Sequence, residues 1–82
     1  MNKENILSEL KKIFASVLQE ENLDLQLSTS MDDIEKWDSL NHARLIDAVE
    51  KHYNIKFDLM EMLDVQTVGD ICAFALRKTA SR

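Results

Sequence analysis

Of the side chains here with chemical potential, Ser39 has the most telling setting: Trp37-Asp38-Ser39-Leu40 joins a long polar stretch to an apolar helical repeat. A serine at that junction puts its hydroxyl at a helix start, where backbone N–H groups lack intrahelical acceptors and the dipole is positive. A phosphodiester formed on that oxygen would be favoured there, and the loop side leaves the hydroxyl open to a modifying enzyme. Taken alone, Asp-Ser before a helix is ordinary capping. His42 and Asp47 suggest a hydrolytic triad, because Ser39 and His42 share a face at i, i+3. Asp47 would have to reach across the helix, and no glycine-rich elbow or oxyanion hole accompanies the serine, so that reading is set aside. His42 is then expected to face solvent beside Ser39, and His52 to sit at a helix end; neither has metal-ligand company, so no metal site is expected. Cys72, the one cysteine, lies on an apolar stripe and reads as a small core residue.

The elements that must position Ser39 follow from periodicity. Ile6, Leu7, Leu10, Ile13, Phe14, Val17 and Leu18 form one continuous stripe, which predicts helix 1 from about residue 3 to 21. Leu23, Leu25 and Leu27 alternate with polar residues, but no second strand is available, so they read as anchors of a long loop. Met31, Ile34 and Trp37 are expected to tuck that loop against the bundle, and a loop this long tends to be functional. Helix 2 starts at Asp38 or Ser39 and runs to about His52, burying Leu40, Ala43, Ile46, Val49 and Tyr53 with Leu45 on its flank. Asn54 ends it. Asp58 caps a short helix 3 with Leu59, Met62 and Leu63. Thr67 and Asp70 form a capping box for helix 4, whose stripe is Val68, Ile71, Cys72, Ala75 and Leu76. The expected fold is all-α: a four-helix bundle of three main helices and a short one, with a long first connection, in a single domain over 1–82.

Composition agrees. The chain has 82 residues, no proline and one glycine, so helix breakers are almost absent. A core this small leaves little room for a deep catalytic cavity. A lone cysteine excludes an internal disulfide framework and suits a reducing cytoplasm. Neither a signal peptide nor a membrane span is seen. The net charge of -5 gathers in residues 31–70, where Asp32, Asp33, Glu35, Asp38, Asp47, Glu50, Asp58, Glu61, Asp64 and Asp70 face only Lys36, Arg44, Lys51 and Lys56. Residues 71–82 are purely basic, with Arg77, Lys78 and Arg82. An acidic middle disfavours nucleic acid and anionic membranes and steers basic partner surfaces, or simply keeps the protein soluble.

The wider pattern lifts the serine above ordinary capping. Asp38-Ser39-Leu40, Glu50, Tyr53-Asn54-Ile55-Lys56-Phe57 and Val65-Gln66-Thr67-Val68-Gly69-Asp70-Ile71 stand in register. Over roughly residues 4–78 the chain resembles the acyl and peptidyl carrier protein family. The resemblance implies a non-catalytic carrier in which Ser39 receives 4′-phosphopantetheine from coenzyme A through a phosphopantetheinyl transferase. Asp38 matches the acid that lies near the transferase's divalent cation. The thiol of the arm would carry acyl groups as thioesters for lipid or specialised acyl metabolism. The alternative is an aminoacyl or peptidyl carrier loaded by an adenylating ligase.

Three residues depart from the fatty-acid-synthesis pattern: Trp37 in the connection, Asn41 and Arg44 on helix 2. With Leu40, Asp47 and Glu50 they are the expected partner contacts. The partners are a loading ligase and acyltransferase or synthase enzymes with basic docking patches. Leu45, Ile46, Val49, Leu59, Met62, Leu63 and Val65 are candidates for an acyl pocket, or are ordinary core. The chain is expected to be a monomer, and to be free-standing and not a domain cut from a megasynthase because both termini look complete. The rival reading is an acidic helical adaptor without a prosthetic group, for which Ser39→Ala would change nothing.

Overall fold

The computed structural model describes residues 2–80; Met1, Ser81 and Arg82 lie outside it, and with them the last residue of the basic tail. Four α-helices appear among the described residues: α1 (Lys3–Leu18), α2 (Ser39–Tyr53), α3 (Leu59–Asp64) and α4 (Val68–Ala80). The α1 stripe buries Ile6, Leu10, Phe14 and Leu18 against Leu45, Ile46, Val49 and Tyr53 of α2 and Val68, Ile71, Cys72 and Ala75 of α4. Burying each large aliphatic or aromatic side chain contributes about 1.5–3 kcal/mol, so this stripe is the main source of stability. Burial also pushes the Cys72 thiol up to about 11, which leaves it protonated and inert, as expected of a core cysteine.

Helix ends follow their local chemistry. Asn2 caps α1 by accepting from the Asn5 N–H at 2.9 Å. α1 stops at Leu18, a turn earlier than its periodicity suggests, because Gln19 turns into the left-handed region at φ 55°. Beyond Leu18 come only Gln19, Glu20, Glu21 and Asn22, with nothing apolar to bury. Asn54 closes α2 in the same conformation at φ 56°, one that asparagine tolerates better. Asp58 and Glu61 form a reciprocal capping box on α3 at 2.8 and 3.0 Å. Thr67 and Asp70 do the same on α4.

The connection from 19 to 38 makes no strand; an isolated bridge joins Ser30 to Thr67, and a short 3-10 turn spans Met31–Asp33. Leu25 is buried, Leu23, Met31 and Ile34 are half-buried, and Leu27 is 38% exposed. Backbone bonds pin the loop to the start of α4. Val68 N–H donates to Thr29 O at 2.9 Å, Gly69 N–H to Leu27 O at 2.8 Å, and Met31 N–H to Gln66 O at 3.1 Å. The unpaired N–H groups of the α4 first turn thus find acceptors in the loop. The approach is so close that a Cβ on Gly69 would sit 2.8 Å from Leu27 O. The single glycine stands where a loop carbonyl meets a helix.

The site at the start of helix α2

Asp38 is the N-cap of α2, with its Oδ1 accepting from the Asn41 N–H at 2.8 Å. Its carbonyl accepts from the His42 N–H at 2.7 Å. Ser39 is therefore the first helical residue and is exposed. The N–H groups of Ser39 and Leu40 make no bond among the described residues. They remain available to an anion on the serine oxygen. Asn41 Nδ2 donates to Lys36 O at 2.8 Å and ties the loop end to the helix.

Trp37 was expected both to tuck the loop against the bundle and to meet partners; at only 2% exposed it does the first and has no surface to offer for the second. It packs edge-on against Phe14 at 5.0 Å and donates from Nε1 to His42 Nδ1 at 3.0 Å. His42, expected at the surface, is buried as well. Its other ring nitrogen lies 2.9 Å from Met62 O, which requires the Nε2–H tautomer if Nδ1 accepts from Trp37. Both ring nitrogens are thus committed, and Asp47 is 3.0 Å from Lys51. No base faces Ser39, which removes the triad. Among the described residues no group of acids, histidines or cysteines is arranged to hold a metal ion.

The remaining expected contacts divide by burial. Leu40 is 62% exposed, and Arg44 and Asp47 also face outward. Glu50 instead turns back, its carboxylate accepting from the Phe57 N–H at 2.7 Å. It braces the link between α2 and α3, so its expected role as a free partner contact gives way to a structural one.

A cleft of about 280 Å³ opens beside Ser39, walled by His42 and Ala43 of α2, Met62 and Leu63 of α3, and Met31 and Val65. Of the expected pocket residues, Met62, Leu63 and Val65 line it. Leu45, Ile46 and Val49 do not: they are packed in the core. Leu59 points outward, 65% exposed. Met31, His42 and Ala43 were missed because only the tertiary fold brings the loop and α3 across from α2. A second groove of about 350 Å³, between α1 and α2, includes none of the residues around Ser39.

An exposed hydroxyl at the head of a helix, free N–H donors behind it and a largely apolar cleft beside it fit a tethered group better than a catalytic one. The family model for the phosphopantetheine attachment site matches residues 8–75. The chain belongs to that family. Its fold is also similar to the solution structure of the holo acyl carrier protein from Geobacter metallireducens, at 40% identity and a TM-score of 0.85. The match covers 92% of this chain and 86% of that one. A sequence comparison with curated proteins gave no match. The protein is thus a non-catalytic phosphopantetheine carrier and a substrate of a phosphopantetheinyl transferase, with 4′-phosphopantetheine as its prosthetic group. Among the described residues no helix is long and apolar enough to cross a membrane.

Proposed function

We propose that this protein is an acyl carrier whose arm is attached at Ser39. The observation that carries the assignment is the exposed hydroxyl at the first position of α2, beside free N–H donors and the cleft. In the attachment step the Ser39 oxygen bonds to the phosphorus next to pantetheine in coenzyme A. The bond from that phosphorus to the bridging oxygen breaks, adenosine 3′,5′-bisphosphate leaves, and the hydroxyl proton passes to the transferase. Asp38 Oδ1 is engaged in capping, which leaves Oδ2 to face the transferase's divalent cation.

An acyl cargo is favoured over an aminoacyl one by the cleft, whose walls are mainly methionine, alanine, leucine and valine side chains. These surfaces receive an alkyl chain and offer no carboxylate to pair with an amino group. The 40% identity to a holo acyl carrier protein supports the same choice. The carrier works as a monomer in the cytoplasm, delivering acyl thioesters in lipid or specialised acyl metabolism.

Intact-mass measurement after incubation with coenzyme A and a broad-specificity transferase tests the site. The mass is expected to rise by one phosphopantetheine group in the native chain and not in Ser39→Ala. Modification of Ser39→Ala would move the site elsewhere. The mass of the thioester on protein isolated from its host then decides acyl against aminoacyl.

A further inference from the structure

The acidic middle of the chain suggests a carrier that presents carboxylates to basic partners. The structure shows where those carboxylates go. Asp38 and Asp58 cap helix starts, and the Asp33 and Asp70 carboxylates accept from the N–H groups of Ser30 and Thr67. Glu50 accepts from the Phe57 N–H, Glu61 closes the α3 capping box and pairs with Lys78, and Asp47 pairs with Lys51. Asp32, Glu35 and Asp64 are the acids of that stretch left without such work. Much of the negative charge is therefore engaged with backbone N–H groups or ion pairs, while Asp38 Oδ2 stays open beside Ser39.

What α2 and α3 project on either side of the cleft is different. Leu40 is 62% exposed on α2, and Leu59, Met60 and Leu63 are 65%, 66% and 61% exposed on α3. The cleft at Ser39 lies between the two helices, with Ala43 on one wall and Leu63 on the other. One turn after Leu40 stands Arg44, exposed, with no ion pair or hydrogen bond among the described residues. Its helical neighbour Asp47 is held by Lys51 at 3.0 Å. Large apolar side chains left exposed on the two helices that wall this cleft suit an interaction surface. A lone guanidinium at the edge of such a surface is suited to bidentate contact with a carboxylate.

The geometry points to a docking face that takes a partner enzyme with an apolar contact surface and a carboxylate opposite Arg44. At this position the carrier supplies the cation. The inference deepens the carrier reading and rests on it, since the partner is an enzyme that handles the group on Ser39. It also sets this chain's partners apart from enzymes that present only a basic patch.

Two amphipathic helical peptides test it, identical in a leucine face and differing in one flanking residue, Glu or Lys. Binding to the isotope-labelled protein is followed by NMR chemical shifts. The Glu peptide is expected to bind more tightly, with shifts gathered at Leu40, Arg44, Met60 and Leu63. In Arg44→Ala the Glu-to-Lys affinity ratio should fall about threefold, as for an exposed ion pair, and added salt should shrink the difference. The net charge of -5 favours the Lys peptide everywhere else, so a preference for Glu is local. A ratio unchanged by Arg44→Ala, a tighter Lys peptide, or no binding at this face overturns the proposal. Circular dichroism confirms that the variant folds. Phosphopantetheine loading of Ser39, followed by mass, is independent of these outcomes, so failure of the docking inference and of the attachment site are told apart.

Discussion

The Trp37–His42–Met62 chain should behave as one coupled unit, and its size can be worked from the geometry. The indole N–H donates to His42 Nδ1 at 3.0 Å in a buried setting, and the second ring nitrogen lies 2.9 Å from Met62 O. In His42→Leu the indole N–H loses its acceptor while remaining 2% exposed. An unpaired buried donor costs about 1–3 kcal/mol, so a loss of about 2 kcal/mol is expected. Trp37→Phe keeps an aromatic contact with Phe14 but strands Nδ1 and leaves a gap, for a similar loss of about 2 kcal/mol. The double variant carries no unpaired group at this pair. It should be less destabilised than the sum of the single variants by about 1–1.5 kcal/mol. Total stability for 82 residues is about 4–12 kcal/mol, so each single loss is large enough to measure. Urea unfolding followed by far-ultraviolet circular dichroism serves all four proteins, since it needs no tryptophan. Because His42 also contacts the α3 carbonyl of Met62, amide exchange across 62–65 should quicken in His42→Leu and not in Trp37→Phe. Additivity within about 0.3 kcal/mol would refute the coupling, and the buried hydrogen bond with it.

Other expectations are equally local. Gly69→Ala would force a Cβ to within 2.8 Å of Leu27 O; it should cost about 1–3 kcal/mol and speed amide exchange at position 69. Gln19→Gly relieves a left-handed residue at φ 55° and should raise stability by about 0.5–1 kcal/mol in the same urea assay. The Glu61 carboxyl is held below its ordinary 4.5 by the Asp58 N–H and then by Lys78. The unfolded chain therefore binds this proton more readily, and stability rises with pH through that window. The contribution is complete above pH 4.5 and is lost as pH falls through the lowered value. Urea midpoints against pH should fall less steeply on acidification in Glu61→Gln.

What the sequence makes legible is what local chemistry decides. The α1 stripe, the Asp58 cap, the capping box at Thr67 and the Asn54 stop each depend on residues within a few positions of one another. All of them appear in the structure. The N-capped start of α2 at Ser39 belongs with them. The family likeness added what local chemistry does not contain, namely the group that the protein carries.

What stays hidden depends on residues far apart in the chain. Trp37 is expected to anchor the loop on the bundle, and at 2% exposed it does, but the sequence does not say against what. Its burial is decided by Phe14, on another helix, and by His42. His42 faces away from solvent because the carbonyl of Met62 waits across the cleft, 20 positions on. The same holds for charge. A count of acids cannot tell a carboxylate that projects into solvent from one that accepts backbone N–H groups, since Asp and Glu suit both tasks. Glu50 is the clearest case. By sequence it belongs to the outward face of α2, yet its carboxylate holds the Phe57 N–H. Position 44 carries the opposite lesson: a single cation among many acids is easily dismissed as balance. Once Asp47 beside it is seen to pair with Lys51, Arg44 stands as a cation with no partner of its own among the described residues.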